Sequence, residues 1–175
     1  MENNEEGYIY YKYVDAHSIR ASSYEVVDSN GVLRMKLYTT SDGTPVIDLL
    51  DPNQQSAITL SLDDNARGWI GMFNANGTRQ FELAISDKGL PRVRLFDTRD
   101  QVRIAVTVGD NGPALNMYDN TGQLRASVHL KENGKPAIEL TNAEAQRQAL
   151  ITVPADGSEG LVFKDREGTA KSLVL

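Results

Sequence analysis

The sequence lacks cysteine altogether and contains only two histidines, His17 and His129. The missing thiols exclude disulfide bonds, thiolate zinc sites and cysteine nucleophiles. No apolar run approaches the roughly 18 residues of a membrane-spanning helix. Residues 1–6 are acidic, whereas a secretory signal begins with basic residues and continues with apolar ones. These absences predict a soluble, cytoplasmic chain without membrane contact, and they leave export without a cleaved signal open.

Basic residues are also too few for a general nucleic-acid binder. The chain has 18 basic and 24 acidic residues, so its net charge is −6. Nucleic acids and anionic membranes require a clustered basic face. The length of 175 residues suits one domain, and a hydrophobic fraction of 40% is sufficient for a packed core.

Short catalytic motifs are missing as well. The sequence contains no Gly-x-Ser-x-Gly, phosphate-binding loop or His-Glu-x-x-His. Acidic pairs such as Asp63-Asp64 fall in turns, where carboxylates accept local backbone hydrogen bonds, and none has calcium-loop spacing. We therefore expect a protein that is not an enzyme and that needs no metal or cofactor.

What the sequence does contain is a 23-residue repeat. Each unit centres on an Asp or Asn, here called the anchor, and the anchors are 23 residues apart except for one interval of 22. A second turn follows 15 residues after each of the first six anchors. The seven anchors are Asp28, Asp51, Asn74, Asp97, Asp119, Asn142 and Asp165, and the second-turn residues are Gly43, Ala66, Gly89, Gly112, Gly134 and Gly157.

Each repeat reads as two strands. The positions two and four before the anchor and nine after it are apolar in all seven units, and the position seven after it is apolar in six. Intervening positions are mostly polar, and this alternation predicts strands that bury one face. We therefore predict an all-β protein, an antiparallel meander of about fourteen strands. A two-sided β-solenoid is the alternative.

Turn chemistry predicts how the strands pair. Asn30-Gly31 and Asn76-Gly77 suit two-residue type I′ loops, and Ser41-Asp42-Gly43 suits a three-residue hairpin. Both loop types place apolar positions opposite apolar positions. The same pairing predicts one central row across the other face: Glu25, Lys36, Asp48, Thr59, Gly71, Glu82, Arg94, Ala105, Asn116, Ser127, Glu139, Leu150, Val162 and Leu173.

A flat ribbon of this kind is unstable in water on its own. Fourteen strands at about 4.8 Å would span roughly 67 Å and expose one apolar side. A closed barrel of that size is too wide for its side chains to fill. We therefore expect the sheet to coil into a flattened, sandwich-like roll, or to bury its apolar face in an oligomer.

The composite pattern Leu-x-Leu-x-Asp-x-Asn-Gly-x-x-Arg-x-x-Leu-x-Val-x-x-Asp-Gly resembles tandem β-hairpin repeats that recur in bacterial proteins. Residues 116–134 match it most closely, and the resemblance covers residues 21–175. It implies the hairpin-repeat fold and no particular activity. Units two, four and six depart from it, because Gln54, Asp100 and Ala145 replace the first-turn glycine.

Two groups of residues are candidates for function. A strip beside the first turns alternates aromatic and polar or basic residues and is a candidate for binding a glycan, another small ligand or a protein. Residues 1–20 form an acidic tail with a Tyr-rich strand, and this strand and the apolar C-terminal end of the repeat domain are candidates for contact between subunits. The proposed ligand residues are Phe73, Phe96, Arg103, Tyr118 and Arg125, and the proposed interface residues are Tyr8, Tyr10, Tyr11, Tyr13, Leu150, Val162, Leu173 and Leu175.

The sequence thus favours a non-enzymatic structural or interaction protein that assembles as a homo-oligomer. The alternative is a module that binds a glycan or small ligand through the aromatic and arginine strip.

Overall fold

A computed structural model describes residues 14–110, 112–131, 134–144, 147–153, 161–164, 167 and 169–173, with backbone alone for 147–148, 161–164 and 170–173. Its strands form one antiparallel sheet in which the spatial order equals the sequence order. The strands are β1 (Ser23–Val27), β2 (Leu33–Thr39), β3 (Pro45–Leu50), β4 (Ser56–Leu62), β5 (Gly68–Phe73), β6 (Arg79–Ile85), β7 (Pro91–Phe96), β8 (Val102–Gly109), β9 (Gly112–Tyr118), β10 (Leu124–Leu130), β11 (Pro136–Thr141), β12 (Arg147–Thr152), β13 (Leu161–Lys164) and β14 (Ala170–Leu173).

The predicted meander is confirmed, and so is most of its pairing. Met35 lies opposite Leu49 and Leu37 opposite Ile47, as the repeat pattern requires. The predicted central row is continuous from Glu25 to Leu150. The solenoid alternative is wrong, because neighbouring strands are antiparallel throughout. We call the face that carries this row the polar face, and the opposite one the apolar face.

The first turns differ from the predicted type I′ loops. The N–H of Gly31 donates to the carbonyl of Asp28, and the N–H of Asp28 donates to the carbonyl of Val32, so the loop has three residues. Gly31 has a φ of 78°, while Asn30 is not among the residues with positive φ. The anchor decides the turn type, because its carboxylate accepts the N–H groups of Asn30 at 2.9 Å and Val32 at 3.0 Å.

A β-bulge explains why the pairing was nevertheless predicted correctly. Val27 pairs with Leu33 but Val26 pairs with Met35, so Arg34 is an extra residue in β2. The three-residue loop alone would move each apolar residue opposite a polar one, and the extra residue restores the match. Each of the first-turn hairpins from unit one to unit six has such a residue: Arg34, Ala57, Gln80, Arg103, Arg125 and Gln148.

The single 22-residue interval also has a structural cause. Gly109 pairs with Gly112 at the β8–β9 connection, which leaves two residues between them. Four other second turns, those after β2, β4, β6 and β10, hold three residues, as between Thr40 and Thr44. The unit that contains this connection is therefore one residue shorter.

In the described ranges, which do not include Ala145, three residues other than glycine adopt the left-handed conformation that these turns require. Gln54, Ala66 and Asp100 have φ values of 67°, 59° and 58°. The turns that lack glycine at these positions therefore keep the shape of the others. The left-handed conformation costs an L-residue about 1–2 kcal/mol, whereas glycine adopts it without this penalty.

Replacing Ala66 with glycine is expected to stabilise the protein by about 0.5–1 kcal/mol, because relief of strain exceeds the entropy that glycine adds to the unfolded chain. The matched control is Gly89→Ala at the same position of the next repeat, where φ is 77°. That change is expected to destabilise. Chemical denaturation at fixed protein concentration measures both, and equal signs would contradict the explanation.

Pairing at the C-terminal end differs from the predicted pattern. Leu150 pairs with Lys164, and Val162 pairs with Thr152 and Ser172. Leu173 pairs with Leu161, so Leu150, Val162 and Leu173 are not direct cross-strand neighbours. The polar Ser172 replaces an apolar residue of the repeat, and the apolar pattern therefore specifies the pairing only weakly here.

The apolar face has no second layer in the described part of the chain. Each strand contacts only its neighbours in the sequence. None of the apolar-face repeat positions whose side chains are described is buried, whereas Asp48, Glu82 and Ser127 of the polar face are. None of the described residues therefore covers the face that the sequence predicted as buried. The described ranges contain no helix with the length and hydrophobicity that a membrane span requires.

Candidate functional site

The apolar face is the largest uncovered surface in the described sheet. Its exposed side chains run from β1 to β11, and their exposed fractions lie between 36% and 47%. Patches of this extent on a protein surface mark association sites. The residues are Tyr24, Val26, Leu37, Leu49, Leu60, Met72, Leu83, Leu95, Val106, Met117, Val128, Ile138 and Leu140.

The total accessible surface of the chain is also larger than that of a compact protein. The chain exposes 12467 Å², whereas a compact monomer of its mass, 19.3 kDa, would expose about 8,500 Å². The excess is roughly 4,000 Å². Each partner in a standard protein interface buries about 800 Å², which is a fifth of this excess. One open sheet therefore leaves ample surface for a stable contact.

The predicted ligand strip lies on the polar face, but its arginines bind turn carboxylates. Arg103 Nε donates to Asp97 Oδ2 at 3.0 Å, and Arg125 Nε donates to Asp119 Oδ2 at 2.6 Å. One terminal nitrogen of each guanidinium is buried without a partner among the described residues. Both arginines are bulge residues, so their ion pairs fasten the bulge to the turn before it.

The aromatic members of the strip are partly covered. Phe96 is only 8% exposed, and the Arg79 guanidinium lies 4.1 Å above its ring centroid. The arginine that stacks on this ring is therefore Arg79, which is not one of the predicted ligand residues. Phe73 and Tyr118 are half-buried.

The same pairing of carboxylate and arginine recurs at other turns. Asp28 contacts Arg34 at 2.7 Å, and Asp63 contacts Arg67 at 2.7 Å. The hydrogen bond from Arg67, helped by backbone N–H groups, lowers the pKa of Asp63 to about 2. The Thr121 hydroxyl, two N–H groups and Arg125 lower the pKa of Asp119 in the same way. These contacts lock turns: Asp28, Asp97 and Asp119 do so as anchors of first turns, and Asp63 does so in a second turn.

The Asp63 turn is expected to weaken in acid. Its folded pKa of about 2 lies below the unfolded value of about 3.9. The contribution to stability is therefore complete above pH ~4 and is lost as the pH falls towards 2. Asp63→Asn should flatten the fall of the denaturation midpoint between pH ~4.5 and ~2.5.

Asp64→Asn is the control, because Asp64 is an exposed neighbour in the same turn. It should leave the acid dependence of the midpoint as it is in the unsubstituted protein. If both variants changed the pH profile equally, the Asp63–Arg67 lock would not be its source.

A second polar-face cluster was not predicted, and it is the most concentrated charge arrangement that the structure describes. Glu82, 2% exposed, contacts Arg79 at 2.8 Å, Arg92 at 3.0 Å and Arg94 at 3.8 Å. Asp100 contacts the other side of Arg79 at 3.1 Å. We call Glu82 and its three arginines the arginine cluster.

An aromatic wall adjoins the arginine cluster. Trp69 Nε1 donates to Glu82 at 3.3 Å, and the Trp69 and Phe73 rings lie 6.1 Å apart. The indole can lie flat on the sheet because its neighbour Gly71 has no side chain: a Cβ there would come within 2.6 Å of Trp69 Cζ2. Both rings line a depression of about 420 Å³, together with Arg79 and Asp100.

The sequence contained a signal for this cluster. The central row already placed Gly71, Glu82 and Arg94 side by side, and Arg92 and Trp69 belong to the same face two residues before Arg94 and Gly71. The predicted ligand strip lies in the row beside the first turns and therefore does not contain these residues. Which carboxylate each arginine contacts depends on side-chain rotamers, which pairing alone does not determine.

The predicted subunit interface is described only in part. Leu150 is buried, with 1% exposure. Val162 and Leu173 are described by their backbone pairing alone. Tyr8, Tyr10, Tyr11, Tyr13 and Leu175 lie outside the described residues.

Ser127 and His129 form the arrangement closest to a catalytic pair. Ser127 Oγ lies 3.1 Å from His129 Nδ1 and 2.8 Å from Asn116 Oδ1. A serine nucleophile also needs free N–H donors for an oxyanion. Strand β10 pairs on both sides, so its N–H groups are engaged in the sheet. We interpret the pair as part of a polar network that joins β10 to β9 through Asn116.

A scan against models of known protein families finds no match for this chain, and a search of the curated proteins finds none either. The two faces of the sheet therefore supply the evidence on function.

Proposed function

We propose that this chain is a non-enzymatic structural or interaction protein that assembles through its β-repeats. In the assembly, the apolar faces of two copies pack against each other. The observation that supports this most directly is the half-exposed apolar residue that recurs in every repeat from unit one to unit six.

A second copy is the partner whose shape suits this face best. Two sheets stack about 10 Å apart when their side chains interdigitate. The apolar side chains recur with the period of the repeat, so a second copy offers the same spacing to fill the gaps. A two-fold axis would let each patch contact its own copy, which is the commonest symmetry of homo-oligomers.

Covering the apolar face leaves the polar face in solvent. The turn locks, the arginine cluster and the aromatic wall would then line the outer surface of the assembly. A scaffold built in this way presents regularly spaced side chains to other molecules.

Light scattering on a sizing column tests the proposal with the full chain over a range of concentrations. We expect a native mass that is a multiple of 19.3 kDa. The thermal midpoint should also rise with protein concentration, because association stabilises the folded form by mass action. A constant mass of 19.3 kDa with a concentration-independent midpoint would overturn it.

A further inference from the structure

We propose that the arginine cluster and its aromatic wall bind a carboxylated saccharide on the polar face of β5, β6 and β7. The site is independent of assembly, because it lies on the face opposite to the one that the proposed function covers. It shares Phe73 with the strip predicted from sequence but not the arginines of that strip, which are engaged by turn carboxylates.

The first argument is charge. Three arginines share one buried glutamate, and Asp100 pairs with only one of them. Three positive and two negative charges leave the site with a net charge of +1, in a chain whose net charge is −6. An anion therefore meets an attractive spot on an otherwise acidic protein.

The second argument is that Arg92 and Arg94 have hydrogen-bond donors available to a ligand. Among the described residues, Arg94 makes no hydrogen bond, and Arg92 bonds only through Nε. Their side chains are 35% and 24% exposed, so the terminal nitrogens can reach a ligand. Guanidinium groups bind carboxylates in a bidentate manner, with two parallel hydrogen bonds.

The third argument is the aromatic wall, because Trp69 and Arg92 contact the same Glu82 carboxylate through its two oxygens. Ligand sites combine apolar or aromatic surfaces with a few polar groups that fix the orientation. A sugar ring has an apolar C–H face that can pack on an indole, and a uronic acid carries a carboxylate on the same ring. Trp69 and the two arginines therefore match the two sides of such a sugar.

These features favour a saccharide over a nucleic acid. Binding along a phosphate backbone requires several cations that each neutralise one phosphate, whereas this site has a net charge of only +1. The depression of about 420 Å³ that Trp69, Phe73 and Arg79 line is also short, which suits a sugar ring on the indole better than a long polymer contact; Arg92 and Arg94 are not part of its lining.

Trp69 is the only tryptophan in the chain, so its fluorescence reports on this site. We expect a saturable change in its emission when the full-length protein is titrated with trigalacturonate. Maltotriose, a neutral trisaccharide, should bind at least about tenfold more weakly, because it lacks the charge-assisted hydrogen bonds. Added sodium chloride should weaken the binding of trigalacturonate.

Arg94→Gln removes a cation that makes no hydrogen bond within the described chain, so the fold should be retained. It is expected to weaken trigalacturonate binding about tenfold and to leave the native mass unchanged. Lys36→Gln is the matched control, because Lys36 belongs to the same central row and its side chain is 36% exposed, against 35% for Arg94. It should bind like the unsubstituted protein.

Three results would overturn the proposal. The first is the absence of a saturable signal with trigalacturonate, and the second is equal affinity for maltotriose. The third is tighter binding of adenosine monophosphate, which would assign the site to a nucleotide. None of these results bears on the native mass, so failure here is separate from failure of the assembly.

Discussion

Replacing Val106 with lysine is expected to convert the assembled protein into a monomer of 19.3 kDa. Val106 lies on β8, near the middle of the sheet, and its side chain is 47% exposed on the apolar face. Burying an unpaired ammonium group costs several kcal/mol even after the protein relaxes around it. A two-fold interface contains the substitution twice.

The expected size of the effect follows from that cost. With about 3 kcal/mol for each lysine, the dissociation constant should rise by roughly four powers of ten. Light scattering at micromolar concentration should then detect only the monomer. This figure is conservative, because lysine can extend its amine part of the way to solvent and so lower the cost of burial.

Thr107→Lys provides a closely matched control. Thr107 is the next residue of β8 and projects to the polar face, so it receives the same new charge on the opposite side of the sheet. Its native mass should stay that of the unsubstituted protein. If Val106→Lys kept the assembled mass, or if both variants dissociated alike, the apolar face would not be the interface.

The alternation of apolar and polar residues was sufficient to predict the sheet. Each strand carries the same apolar positions relative to its anchor, so a shift by one residue would mismatch every pair at once. This is why the central row agrees with the structure from Glu25 to Leu150. Where Ser172 interrupts the pattern, the predicted pairing of the last two strands is wrong.

The alternation of apolar and polar residues does not predict the turn types. Asn30-Gly31 is compatible with a type I′ loop, and it is also compatible with a type I turn followed by a left-handed glycine. The carboxylate of Asp28 selects the second, and the bulge at Arg34 then restores the pairing. Two local departures cancel, so the strand pairing alone could not reveal either.

The functional surfaces were harder to predict than the fold. Cross-strand position correctly placed Arg103 and Arg125 on the polar face. It did not predict the ion pairs that they form with the anchors of their own turns. Those pairs bridge six residues around a bulge, and the bulge itself was not predicted. The exposure of the apolar face likewise depends on whether other strands pack on it, and among the described strands none does, which no local pattern reveals.

Glu82→Ala is expected to have the largest effect on folding stability, a loss of about 3 kcal/mol. Glu82 is almost fully buried and accepts hydrogen bonds from Arg79, Arg92 and Trp69. Its removal leaves three neighbouring guanidinium groups to repel one another. It also leaves the indole N–H without its acceptor, and both changes act on the folded state alone.

Glu25→Ala tests whether burial is the reason. Glu25 belongs to the same central row and contacts Lys36 at 3.1 Å, but its side chain is 48% exposed. An exposed pair contributes about 0–1 kcal/mol, so this change should barely move the denaturation midpoint at fixed protein concentration. Similar losses for the two variants would show that the three arginines do not depend on Glu82. A large loss of stability for Glu82→Ala alone would mean that the three arginines depend on one buried carboxylate. The proposed anion site requires this excess of positive over negative charge.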